Sequence, residues 1–487
     1  MKSLLRFSVF AVSGLAVAAC TTDPPVALKP TEMPKAFTAP MTPSSQVWPA
    51  ADWWTGFGSA ELTDLEVTAQ QQNNDLAAAA ARVIQARGNT GIAAAALFPA
   101  VDLSANAQRV GTGSGKTVTT QGVSGNTFGV SLNASYELDF WGLAQDNLRA
   151  AQNNARSALY AQRVEALTVT SDVANTYLDV LALRDRIMIA KNNVDAAKRI
   201  LAITQAKVTN GVSSNLDLAQ QSAILAGVEA SIPALEEQER EARYALAVLI
   251  GRAPEGFDVK GTTISGVSAP VVQPDMPASL LTRRPDIAAA EANLLSAHAS
   301  VDAARAAFLP AIGLTASGGY SNPQIGSLFN PESLAWNIGA TLLQSIFDGG
   351  SLTSQFDINK GREMELVADY RGTVFNALSD TESALGQVTS LATQEQFTTE
   401  QVKNAAEAFR ISELQYREGV ADLLAVLQTQ QTLFTAQDTL VQVKLARLQA
   451  DVSLYRALGG GWTLDQDKDA PTRNDFQPIP ILSAVKD

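Results

Sequence analysis

The sequence predicts a membrane β-barrel joined to an all-α barrel, with four strands per chain and two tandem structural repeats. Three observations carry the prediction: an uninterrupted heptad stretch, a second copy of it, and four segments of alternating polarity.

The heptad stretch runs from about Gly142 to Val208. Leu159, Ala166, Val173, Val180, Ile187, Val194, Leu201 and Val208 stand seven residues apart, and Val169, Thr176, Leu183, Ala190, Ala197 and Thr204 follow at the three-residue offset. No proline interrupts them. An apolar seam of this period makes a helix supercoil left-handed against a partner. At 1.5 Å per residue, ~67 residues run roughly 100 Å, the length of a strut or wall. The same pattern returns 208 residues later as Val367, Val374, Thr381, Val388, Glu395, Val402, Phe409 and Tyr416, and Gly211-Val212 returns as Gly419-Val420. Both copies predict a long helix, at 142–210 and 350–418, a tight turn, and a returning helix, at 214–250 and 421–458.

Ahead of each long helix the period changes to two. Val101, Leu103, Ala105 and Ala107 alternate with Asp102, Ser104, Asn106 and Gln108. Phe128, Val130, Leu132, Ala134, Tyr136 and Leu138 alternate with Thr127, Gly129, Ser131, Asn133, Ser135 and Glu137. The second half supplies Ile312 to Tyr320 and Leu334 to Leu342 in the same way. These are hairpins, at 100–139 and 311–343, apolar on one face and polar on the other. Strands of this length, tilted ~40°, cross a hydrocarbon layer of ~25 Å. Four strands cannot close, and open edges do not survive in lipid. Two chains would give an eight-stranded barrel filled by its own side chains, whereas three give twelve strands and a lumen. The helix leading into the first hairpin is expected to run unbroken from about Ala60 to Ala96, and that into the second from about Pro285 to Phe308.

The remaining segments fix the boundaries. Lys2 and Arg6 precede an apolar run that ends Val17-Ala18-Ala19-Cys20, so residues 1–19 read as an export signal. The ending resembles a bacterial lipoprotein signal, cleaved between Ala19 and Cys20. That resemblance implies N-palmitoyl and S-diacylglycerol groups on Cys20. Thr21, in place of aspartate, implies sorting to the outer membrane. Residues 20–50 are proline-rich and form a tether. Residues 51–250 and 280–459 are the two repeats, 251–279 the linker and 460–487 a polar tail. With a net charge of −13, the chain is a poor nucleic-acid binder. His298 is the single histidine and Cys20 the single cysteine; no metal cluster, phosphate loop or serine elbow accompanies them, so no enzyme, cofactor or metal site is expected.

The motifs YELDFWG (Tyr136 to Gly142), RRPDIAAAE (Arg283 to Glu291), DWW (Asp52 to Trp54) and ALGGGW (Ala457 to Trp462) resemble the outer-membrane efflux lipoproteins related to TolC, the OprM and NodT-like group. The resemblance covers nearly the whole mature chain. It implies a TolC-like homotrimer with a twelve-stranded barrel and a periplasmic helical barrel. It also implies a role as exit duct beside a periplasmic adaptor and an inner-membrane transporter of the RND type. Phe140 and Trp141 lie where aromatics anchor a strand at the membrane interface. The tip turns Gly211-Val212 and Gly419-Val420 would ring the periplasmic entrance. By resemblance, Leu424 fits a closing leucine ring, and Tyr416 and Arg417 match the tip pattern. Gln428 and Gln431 stand where relatives carry aspartate and arginine, which puts a charged lock in doubt. Asp422 either caps the returning helix or pairs with Arg417. A type I secretion duct and a metal-efflux duct share the fold; a periplasmic adaptor would lack the paired strands.

Overall fold

The computed structural model describes residues 33–39, 48–111, 124–268, 272, 274 and 276–464. Ala19, Cys20 and residues 465–487 lie outside the described residues. The helices are α1 (Ala60–Gln72), α2 (Asn74–Ala95), α3 (Leu143–Thr209), α4 (Asn215–Leu249), α5 (Pro285–Ala306), α6 (Ser351–Arg417) and α7 (Leu423–Ala457). The strands are β1 (Ala100–Gly111), β2 (Ser124–Glu137), β3 (Ala311–Asn322) and β4 (Leu334–Leu343). Two units emerge, one of residues 93–150 and 294–371, the other of 33–92, 151–293 and 372 onward.

In the first unit the four strands form one antiparallel sheet in the order β1-β2-β3-β4. The register converts sequence alternation into two faces. Leu103 lies opposite Leu132, Leu132 opposite Gly318, and Gly318 opposite Trp336. One residue along, Asp102 lies opposite Asn133, Asn133 opposite Ser317, and Ser317 opposite Asn337. At each strand-to-helix passage an aspartate takes up helix-start amides. Asp139 accepts from Ala144 and Gln145 at 2.9 Å, and Asp348 accepts from Gly350 and Leu352 at 2.9 and 2.8 Å. A carboxylate there satisfies orphan donors and opposes the positive helix end.

In the second unit each long helix packs along its seam. On α6, Val374, Thr381, Phe409 and Tyr416 are buried, as are Ala377, Ala384, Thr398, Ala405 and Ser412 at the three-residue offset. On α3, Val173, Val180 and Val194 are buried, but towards the tip burial passes to Asn193, Ala197, Ile200 and Thr204, leaving Leu201 and Val208 half-buried. The helix predicted over Ala60–Ala96 is instead two helices. Asn73 is extended between them (φ −65°, ψ 132°). Its Oδ1 accepts the Leu76 amide at 2.9 Å while its Nδ2 donates to the Leu249 carbonyl at 2.8 Å. That long-range bond and the α2 cap replace the helical hydrogen bonds given up at the break.

The second repeat places Arg284 where the first has Asn73. Arg284 is 9% exposed, donates through Nη1 to the Ala457 carbonyl (3.0 Å), and forks onto Asp286 at 3.0 and 2.6 Å. Nη2 also meets Asp380 at 3.3 Å. The DWW and ALGGGW motifs meet in the same core. The Trp53 ring stacks on Tyr455 (centroids 5.2 Å apart), and a Cβ on Gly459 (φ +85°) would fall on the Arg283 carbonyl. Linker residues Val259, Ile264 and Val272 are buried in that core, and the Glu61 carboxylate accepts the Lys260 and Gly261 amides at 2.6 and 2.8 Å.

Candidate channel wall and hairpin tips

The sheet supplies the first half of the site. On the apolar face Leu103, Trp336 and Ile338 are each about three-quarters exposed. On the polar face Ser104 and Ser131 share a 2.8 Å hydrogen bond, and Asn133 donates to Ser104 at 3.0 Å. The chain pairs β1 with β2, β2 with β3 and β3 with β4, and among the described residues the outer edges of β1 and β4 are unpaired. Phe140 and Trp141 stand just past β2, with ring centroids 4.8 Å apart, and the Trp141 indole donates to the Pro310 carbonyl at 2.8 Å. Sequence reasoning missed Ile346 and Phe347, each 90% exposed, which stand just past β4. Their signal was available: Phe347 stands two residues before Gly349 as Phe140 stands two before Gly142, one repeat earlier.

The tips supply the second half. Gly211 (φ +74°) and Gly419 (φ +77°) end the long helices in the left-handed conformation that glycine adopts without strain. Val212 donates to Lys207 and Val420 to Gln415, both at 2.8 Å, so the two turns are the same motif. Ser214 and Asp217 form a capping box on α4. Asp422 caps α7, accepting from Ala425 at 3.0 Å, while Arg417 pairs with Glu418 instead. Leu424, Gln428 and Gln431 fall on one exposed stripe of α7, and the Gln431 amide reaches Thr435 at 3.3 Å. Tyr416 is not with them. It is 3% exposed, meets the Thr204 hydroxyl at 3.1 Å, and carries the Lys207 ammonium 4.5 Å over its ring. Gln430 was also missed. It is fully buried in the tip core and its amide has no hydrogen-bond partner.

Carboxylates away from the tip are buried too. Glu66 is fully buried, neither oxygen is hydrogen-bonded, and desolvation holds its pKa well above the ordinary value. Burial pushes Asp451 up to about 7, opposed by Arg447 and reinforced by Glu395. A carboxyl raised in the folded state contributes stability that is complete below the unfolded pKa and is lost as pH rises through the folded value. Thermal stability should therefore fall between about pH 4 and pH 7. Asp451→Asn should flatten that slope and raise the melting temperature at pH 8 by about 2 °C or more; differential scanning calorimetry at several pH values checks this.

A profile of the family described as Outer membrane efflux protein matches residues 65–252 and 276–460. The chain is 39% identical over 420 residues to the pyoverdine export outer membrane protein OpmQ of Pseudomonas aeruginosa, covering 85% of this chain and 88% of that one. It is 29% identical over 415 residues to the cation efflux system protein CusC of Escherichia coli, covering 85% and 88%. The fold matches the outer-membrane channel OprN with a TM-score of 0.82 at 26% identity, over 89% of this chain and 98% of that one. The chain thus belongs to the outer membrane efflux protein family and is an outer-membrane channel of TolC-like fold.

Proposed function

We propose that three copies of this chain close one twelve-stranded barrel and act as the exit duct of a tripartite system. The duct receives small molecules from an RND-type inner-membrane transporter through a periplasmic adaptor. The observation that carries this reading is the two-faced sheet with both outer edges open. In lipid, unpaired edges are costly, and joining β4 of one copy to β1 of the next pairs every edge. The apolar face then meets lipid and the polar face lines a wet lumen. In this reading residues 51–250 and 280–459 are the repeats, 251–279 is equatorial, and Cys20 carries the lipid. Phe140 and Trp141 anchor at the membrane interface.

The tip stripe of Leu424, Gln428 and Gln431 is the constriction in this reading, closed by packing and neutral hydrogen bonds. Replacing Leu424 with alanine should raise single-channel conductance in planar bilayers; an unchanged conductance would place the constriction elsewhere. The 39% identity to a pyoverdine export protein, against 29% to a cation-efflux protein, favours small organic cargo. A deletion strain profiled against organic compounds, metal ions and secreted proteins tests this. Heightened sensitivity to organic compounds is expected; loss of protein secretion alone would overturn the reading.

A further inference from the structure

The proline-rich tether is not free where it is described. Phe37 is 8% exposed and packs in the same core as Trp53 and Tyr455. Beside it the Glu382 carboxylate, on α6, accepts the Thr38 amide on Oε1 at 2.7 Å and the Ala39 amide on Oε2 at 2.8 Å. The Thr38 hydroxyl adds a third bond to Oε1 at 3.1 Å. Among the described residues this carboxylate has no ion-pair partner, and the bonds from the tether hold its pKa below the ordinary range against the effect of burial. Further along, the Trp48 ring lies 4.6 Å beneath the Arg283 guanidinium. The heptad pattern does not call for an acid at this place. One repeat earlier the equivalent residue is Ala174, which is fully buried.

We propose that Glu382 is a fastening site for the N-terminal tether. Residues 33–39 are a strap docked on α6, so that tension on the anchored N terminus is taken by the long helix rather than by the turn at Trp53. The docking stands on these contacts alone; only the identity of what pulls on the strap rests on lipidation of Cys20. Charge-assisted bonds to two neighbouring main-chain donors suit a strap, because they need no particular side chain and cannot slide by one residue without breaking both. Phe37 supplies the apolar part, in a core already lined by aromatic rings.

The sequence provides a clean assay. Between Cys20 and Asp52 the only basic residues are Lys29 and Lys35, and Lys29 precedes Pro30, a bond trypsin does not cut. Trypsin therefore has one site in the tether, after Lys35. Binding a protease there requires Phe37, Thr38 and Ala39 to leave α6. Membranes carrying the full-length protein should release the N-terminal piece slowly. Glu382→Ala should cut about tenfold faster or more, since charged hydrogen bonds of this kind are strong. Ala39→Pro removes one donor without touching any helix and should also accelerate the cut. Equal rates for the wild type and both variants would overturn the strap. Cleavage is read from the mass of the body fragment. Incorporation of labelled palmitate is read separately: a wild type that protects Lys35 but takes up no label would leave the strap standing and remove the lipid.

Discussion

Arginine in place of Ile338 is expected to abolish heat-stable oligomers in membranes, whereas arginine in place of its neighbour Asn337 should leave them intact. The two residues adjoin on β4 but face opposite sides. Ile338 shares its face with Ala316 and, through it, Ala134 and Val101; Asn337 lies beside Ser317 and Asn133. A cation on the lipid face of a barrel costs ~2–4 kcal/mol near the bilayer midplane, and the assembly would bear it in every copy. On the lumen face the same cation stays hydrated and should alter only ion selectivity. Semi-native electrophoresis separates the outcomes. Loss of oligomers in both variants would mean that the two faces are not lipid and lumen.

The second large effect is expected at Arg284. Alanine there removes the bond to the Ala457 carbonyl and leaves Asp286 and Asp380 facing each other without the cation between them. Breaking a buried pair by removing one partner costs ~3–5 kcal/mol, and because Asp286 and Asp380 are partly exposed the low end of that range applies here. For a helical unit of this size the melting temperature should fall by about 10 °C. Lysine should recover only part of the loss, since a point charge cannot fork onto Asp286 while also donating to a carbonyl on α7. A melting temperature within a degree of wild type would show that RRPDI does not hold the returning helix in place.

What the sequence made legible follows from the range of each interaction. Alternation along a strand is local, so the faces at Leu103 and Asp102 were readable before any partner strand was known. The seam was readable too, because Val374 to Tyr416 repeat without a proline to break the helix. Tyr416 is buried for the same reason, since a seam position faces a neighbouring helix and not an entrance. Spacings of four and seven placed Leu424, Gln428 and Gln431 on one stripe. Whether Asp422 would cap or pair was not readable, because both partners lie within reach in sequence and only the backbone decides. The break at Asn73 stayed hidden for another reason: it is stabilised by a carbonyl 176 residues away. The same holds for Phe37 and Glu382, whose partners come from remote segments.

Native mass spectrometry of the detergent-extracted protein counts the chains that close the barrel. One dominant species with three times the mass of the processed chain is expected. A species of one, two or four chains would contradict a barrel closed by three four-stranded sheets.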